Sequence, residues 1–337
     1  MPALLKLGLA LAVQHRPGDD QGARFGEHLE QVRLARRVGF ASVWASQHYL
    51  AQPFTYFQPI PTLARVAADA EGMTLGTGVI LLPLHHPLGV AEDLAALDVI
   101  SGGRVVAGFG LGYRDEENAA FALDPRARVG RLTEALHVIE RLWTGEVVTH
   151  AGPHFPLRDV QLSMRPLQKP RPAIWLAGNT DGGVKRAARL GDAWLMNPHT
   201  TLATLERQQA LFRDTRAALG RPPASETPLI KECVVAESTA AAVADARPYL
   251  EAKYKAYQQW KQDEALPPGE TFTLGFEELA RDRFVVGDPA RVVDELTRYR
   301  QRLGVTHFVF RVQWPGMEQA TVLRSIRLLG EKVLPRL

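Results

Sequence analysis

Residues able to do chemistry cluster just after the apolar, β-rich runs of this chain. His48 follows one such run and stands between Gln47 and Tyr49. An imidazole there can act as a general base or as a hydrogen-bond partner for a reacting ligand; the competing reading is a packing histidine. A second cluster is Gly178-Asn179-Thr180-Asp181-Gly182-Gly183, a glycine-rich turn between an apolar run and a helical stretch. Free backbone N–H groups and the positive end of the helix dipole suit such a turn to phosphate, with Asn179 and Thr180 adding side-chain donors. The alternative is a tight turn in which Asp181 caps the helix. Gly108, Gly110 and Gly112 alternate after another run. They lack the third glycine of a dinucleotide fingerprint at its proper spacing, and no matching acidic residue follows a second strand. Two readings are left for them, small residues lining a flat ligand or a plain turn.

The remaining candidates point to bland roles. His85 and His86 are adjacent, so their side chains diverge in extended chain, and Pro153 argues against a helix that would bring His150 and His154 together. No phosphate-binding P-loop, serine-nucleophile elbow or zinc motif is present. The single cysteine, Cys233, sits in Lys231-Glu232-Cys233-Val234-Val235, which reads as a strand with a buried thiol. One cysteine excludes an intrachain disulfide and a cysteine metal cluster.

The elements that must position these residues alternate along the whole chain. Strands are expected at 4–10, 42–46, 75–82, 104–110, 174–178, 193–197, 230–236 and 307–312. Helical periodicity follows each of them, at 27–38, 61–70, 89–100, 127–143, 182–190, 202–219, 239–260 with 289–302, and 318–333. Near-continuous apolar strands between helices argue a parallel sheet covered on both faces. Eight such units predict an α/β fold, a (β/α)8 TIM barrel, in which active sites lie at the C-terminal ends of the strands. The 337 residues then form a single domain, with insertions near 144–171 and 261–284.

Composition narrows the class. Hydrophobic residues make up 46% and charged residues 23%, which excludes a disordered chain. The 40 basic and 37 acidic residues leave a net charge of +3, no footprint for nucleic acid. The apolar stretch 4–13 is interrupted by Lys6 and reads as a first strand, not a secretory leader. No apolar run reaches the roughly 18 residues of a membrane span, so a cytoplasmic protein is expected.

In order and spacing, the motifs resemble the bacterial luciferase-like flavin-dependent monooxygenases and their deazaflavin-dependent relatives. The most specific stretch begins Leu75-Gly76-Thr77-Gly78-Val79-Ile80 and continues through Leu82-Pro83-Leu84-His85-His86-Pro87 to Gly108-Phe109-Gly110-Leu111-Gly112-Tyr113. Gln168-Lys169-Pro170-Arg171-Pro172, the 178–183 turn and Arg186-Ala187-Ala188-Arg189-Leu190-Gly191-Asp192-Ala193-Trp194 also match. The resemblance implies a barrel holding flavin mononucleotide (FMN) at its C-terminal face. It maps a non-prolyl cis peptide beside the flavin ring onto Gly78–Val79, and the phosphate site onto Gly178, Asn179, Thr180, Gly182 and Gly183. It maps the family's histidine near the flavin onto His48, with a proton-transfer or peroxide-stabilising role. Asp98, Ser101 and Arg104 look like a structural motif closing a helix.

There are departures from the family pattern. Gly110 and Leu111 stand where luciferase alpha chains carry a reactive cysteine and a phosphate-binding arginine, so the phosphate would lean on backbone donors. Gln47 stands where many relatives have an acid before the histidine, which weakens a carboxylate-tuned base. The implied activity is oxygenation of a small organic substrate by dioxygen, using reduced FMN delivered by a separate flavin reductase. A deazaflavin-dependent hydride-transfer oxidoreductase and a non-catalytic flavin-binding subunit are the alternatives. A homodimer through the helices after strands two and three is expected, with the 52–57 loop (Phe54, Tyr56, Phe57) and both insertions covering the substrate.

Overall fold

The computed structural model describes residues 5–260, 262 and 266–337. The expected first strand began at Leu4 and the second insertion at Lys261; both residues lie outside the described ones. Eight parallel strands carry the architecture. They are β1 (Lys6–Ala10), β2 (Ser42–Ala45), β3 (Thr74–Thr77), β4 (Val105–Gly110), β5 (Ala173–Ala177), β6 (Ala193–Leu195), β7 (Pro228–Val235) and β8 (His307–Arg311). The main helices between and after them are α1 (Gln21–Arg37), α2 (Pro59–Val66), α3 (Pro87–Ser101), α4 (Arg128–Thr144), α5 (Asp181–Leu190), α6 (Leu202–Ala218), α7 (Thr239–Gln259), α8 (Pro289–Leu303) and α9 (Gln319–Leu328).

The hydrogen-bonded order is β6-β5-β4-β3-β2-β1-β8-β7, followed by a short extra strand, Phe284–Gly287, on the far half of β7. The sheet is curled. Its end strand reaches β7 through one isolated bridge, in which Met196 N–H donates to Pro228 O (3.1 Å) and Ile230 N–H to Met196 O (2.9 Å). Alternate residues of each strand face opposite layers. Leu7, Leu9, Val43, Leu75, Ala107, Phe109, Ile174 and Leu176 belong to one large buried cluster shared with the helices. Trp44, Val106, Trp175, Ala193, Leu195 and Val309 form a second, inner one.

The inner cluster plugs the end of the sheet where the strands begin. Trp44 and Trp175 stack at 4.9 Å, and His307 meets both edge-on. Ser42 Oγ accepts from Trp44 Nε1 at 2.7 Å and lies 2.7 Å from His307 Nε2. Room for the indole comes from Gly76, where a Cβ would lie 2.1 Å from Trp44 Cε3. The polar cleft is therefore left to the opposite, C-terminal end.

The expected continuous third strand is broken. The β3–β4 ladder pairs Gly76 with Val106, then Ile80 with Phe109, so β3 carries one extra residue. The Gly78–Val79 peptide at this bulge is cis. A Cβ on Gly108 would lie 1.9 Å from Thr77 O, so only glycine lets β4 pass there. The first insertion contains an antiparallel hairpin of Val148–His150 with Leu157–Val160. A helix at Phe276–Arg283 and another at Asp115–Ala120, the latter too short to show a helical period, were also absent from the sequence reading.

The motif after α3 is structural, as the resemblance implied. Buried Asp98 accepts from Leu167 N–H (2.8 Å), Gln168 N–H (3.1 Å), Gln168 Nε2 (2.7 Å) and Val105 N–H (3.3 Å). Arg104 donates to the carbonyls of Ala67, Ala70, Met73 and Ser101. This pins the first insertion beside the start of β4, away from the strand C-termini. Asp98→Ala leaves buried donors unpaired and is expected to cost about 3 kcal/mol, read as a lower urea midpoint with an unchanged slope.

Candidate functional site

A cleft of about 720 Å3 lies over the C-terminal ends of the strands. His48, Gly78, Val79, Gly110, Gly178, Asn179, Thr180 and Gly183 all line it. Gly182 does not; it is exposed on the outer side of the turn.

His48 leaves the end of β2 in a fixed pose. The preceding Gln47 is anchored by its Oε1, which accepts from Leu81 N–H and His85 Nε2, both at 2.9 Å. His48 Nδ1 donates to Glu117 Oε1 at 2.9 Å, and the same oxygen accepts Tyr49 N–H at 2.8 Å. Glu117 is 1% exposed, so the pair sits in a low-dielectric setting where a charge-assisted bond is strong. The Gln47 departure had suggested a histidine without a carboxylate. The structure corrects this, since the acid arrives from the short Asp115–Ala120 helix, 69 positions along the chain. His48 Nε2 is left without a partner among the described residues, and Tyr56 and Tyr113 meet its ring edge-on at 5.7 and 5.8 Å.

The glycine-rich turn opens α5. Its cap is Thr180, whose Oγ1 accepts Gly183 N–H at 3.3 Å, not Asp181 as the alternative reading had it. Asp181 is the first helical residue and is held by Arg207 at 2.7 and 2.8 Å. A Cβ on Gly178 would lie 2.6 Å from the Gly183 carbonyl carbon, so glycine lets the helix start press onto the end of β5. Asn179 is turned inward by Asn197 Nδ2, which donates to its Oδ1 at 2.8 Å. Arg186 also lines the cleft, and among the described residues no carboxylate lies within 4.0 Å of it. Burial lowers its pKa. Sequence reading assigned Arg186 no role at the site, although it lies three residues after Gly183, on the same helix face. The inner wall between these groups is nearly bare, built of Gly78, Val79, Gly110 and Ala177.

The rim comes partly from where it was expected. Tyr56 of the 52–57 loop lines the cleft and its hydroxyl lies 2.6 Å from Ser46 Oγ, whereas Phe57 packs into the core against His15 and Phe25. The second insertion contributes Gln262, whose Oε1 accepts from Tyr113 OH at 3.3 Å, next to Trp260 at the end of α7. Among the described residues the first insertion contributes nothing to the lining, so its expected covering role is not supported. Sequence reading also missed Glu232, Lys253, Tyr257 and Arg311, which converge from β7, α7 and β8. His85 and His86 do not act together; His85 binds Gln47 and His86 caps α3. His150 donates to Glu134 at 3.2 Å. Cys233 is buried, which pushes its thiol pKa up. Among the described residues, no group of three His, Cys, Asp or Glu side chains is placed to hold a metal, and no helix is long and apolar enough to cross a membrane.

A family model described as luciferase-like monooxygenase matches residues 5–307. The chain belongs to the luciferase-like monooxygenase family. It is therefore an oxidoreductase. It is 26% identical to the oxygenase component of the flavin-dependent trigonelline monooxygenase of Acinetobacter baylyi, over 92% of this chain and 89% of the relative. It is 29% identical to the F420-dependent glucose-6-phosphate dehydrogenase of Kineococcus radiotolerans, over 95% and 94%. Its fold matches monooxygenase RslO1 from Streptomyces bottropensis with a TM-score of 0.88 at 27% identity, covering 98% of this chain and 99% of that one.

A buried histidine pair supports one edge of the cleft. Nε2 of His15 and Nε2 of His28 lie 2.9 Å apart, while Gln14 and His15 pair with Thr55 and Tyr56. Burial lowers the pKa of His15 to about 4, aided by Arg24 and opposed by Asp19. Burial, then the neighbouring His15, lowers that of His28 to about 3. Both histidines are neutral when folded, so their contribution is intact above pH 6.5 and is lost as pH falls towards 4. Unfolding free energy is expected to fall by up to about 1.4 kcal/mol per pH unit for each histidine in that window. Urea titrations from pH 7 to 4.5 check this, and His28→Gln should flatten the slope.

Proposed function

We propose that this chain is the oxygenase component of an FMN-dependent monooxygenase that acts on a small organic substrate, with reduced FMN delivered by a separate reductase. The curled sheet is read as a closed (β/α)8 barrel in one domain, the Met196–Leu229 bridge being its seam. The observation that carries the proposal is the pairing of a bare wall with an anion cradle in one cleft. A Cβ on Gly110 would lie 2.7 Å from Val79 Cγ2, and β4 offers only backbone beside the bulge. A planar ring needs such a surface. The N–H groups that open α5, Thr180 and the carboxylate-free Arg186 suit a phosphate monoester. The residues present therefore fit the group.

In this reading Gly178, Asn179, Thr180, Gly183 and Arg186 hold the phosphate, and Gly78, Val79 and Gly110 face the ring. Bound reduced FMN supplies the electrons with which dioxygen is reduced and one of its oxygen atoms is passed to the substrate. His48 holds or moves a proton at Nε2, while Glu117 fixes its Nδ1–H and hence its tautomer. Trp260, held under the Arg114 guanidinium at 4.8 Å, and Gln262 keep water from the cleft. The 29% relative from Kineococcus favours a second reading, hydride transfer with the deazaflavin F420.

Anaerobic titration with reduced FMN and reduced F420, followed by mixing with oxygen, separates these. FMN should bind tighter and consume oxygen; tighter F420 binding without oxygen uptake would replace the monooxygenase reading. Arg186→Ala should weaken FMN by about tenfold or more. His48→Ala should keep FMN affinity but leak peroxide instead of oxygenating; full oxygenation without added leakage would remove its role. A homodimer through α2 and α3, where Val99 and Ile100 are exposed, and a cytoplasmic setting go with this proposal. Light scattering at micromolar concentration should give twice the chain mass of 37.2 kDa.

A further inference from the structure

The side of the cleft formed by β7, β8 and α7 carries a charge imbalance that the cofactor reading does not use. Glu232 and Arg311 are register partners on adjacent parallel strands, so both side chains point to the cleft side. The Glu232 carboxylate, 1% exposed, is fully engaged elsewhere. Its Oε1 accepts from Lys253 Nζ, and its Oε2 from Trp314 Nε1 at 3.1 Å. Lys253 and Glu232 cancel. Arg311 is left over, partly buried, beside the Tyr257 hydroxyl and near Tyr56. Among the described residues no carboxylate lies within 4.0 Å of its guanidinium. His199, on the same wall, adds no further positive charge. Burial, then Lys253 and Arg311, hold its pKa well below the usual histidine value.

A half-buried guanidinium that must share its facing carboxylate, Glu232, with Lys253 leaves one positive charge unmatched, and a ligand anion would complete it. The surroundings say which kind of ligand. Tyr56, Tyr113, Tyr257 and Trp260 line the same part of the cleft and offer ring faces and edges to a flat body. Resting on the cofactor reading above, we propose that the substrate is a small aromatic carboxylate whose carboxylate is bound by Arg311, with its ring among these aromatic side chains. Lys253 is the balancing charge for Glu232, and Tyr257 is a positioning residue for Arg311. The anion of the cofactor and that of the substrate are then taken by separate cations, Arg186 on α5 and Arg311 on β8.

The test compares benzoate with its neutral isostere benzamide by calorimetry, in protein saturated with oxidised FMN so that the phosphate cradle is filled. Benzoate should bind at least about tenfold tighter than benzamide. Arg311→Gln should abolish that preference, and Arg311→Lys should retain part of it, with FMN affinity changed less than about twofold in both. Equal binding of the two probes, no binding of either, or an Arg311→Gln protein that keeps the preference would overturn the proposal. If Arg311→Gln fails to fold, Tyr257→Phe takes its place, and an undiminished preference there overturns it. If FMN does not bind but benzoate keeps an Arg311-dependent preference in the free protein, the cofactor reading fails and the carboxylate site stands.

Discussion

Parallel pairing of successive strands is the constraint on which the rest of this structure depends. Because every strand from β1 to β8 runs the same way, every strand ends on the same face. Residues hundreds of positions apart, from Gln14 to Arg311, thereby meet in one cleft. The opposite face is filled by the Trp44–Trp175–His307 plug, in which Ser42 bonds both Trp44 and His307. Packing and reactivity are thus divided between the two ends of the sheet, as in parallel α/β folds generally.

Close backbone approach shapes the cleft within that frame. Gly108 lets β4 slide past the bulge at Gly78–Val79, and Thr77 Oγ1 stitches the two strands by donating to Gly108 O at 2.9 Å and accepting from its N–H at 2.8 Å. Gly178 does the same where β5 meets the start of α5. At these two positions a Cβ would collide with backbone, and glycine there gives a smooth wall ending at the N–H groups that open α5.

Electrostatics then differentiates the groups around the wall. Glu117 acts on His48 from behind, at a site water scarcely reaches. Glu232 is neutralised by Lys253, which leaves Arg311 as the surplus cation of its side. Arg186 and Arg311 occupy opposite sides of the sheet order, on α5 after β5 and on β8, so one cleft contains two separated cationic positions.

Much of this was legible in the chain. Because such patterns are local properties, the alternation of apolar runs with 3.6-residue periodicity located eight strands and most of their helices to within a few residues, although α1 starts at Gln21, well before its expected start at 27. The Gly178–Gly183 turn announced itself through residue type alone, and the position of His48 at a strand end followed from the same pattern. What was not legible depended on contacts between distant segments. No local signal links Glu117 to His48, Trp260 to Arg114, or Gln168 to Asp98, since those pairs form only when the sheet has curled. The cap of α5 went to Thr180 because its hydroxyl reaches Gly183 N–H, while Asp181 was drawn off by Arg207 of α6. The sequence by itself determined which elements form and which residues stand at their ends. Tertiary structure alone decided which of those ends share a proton or a charge, because hydrogen bonds and ion pairs act over a few ångströms in space whatever their separation along the chain.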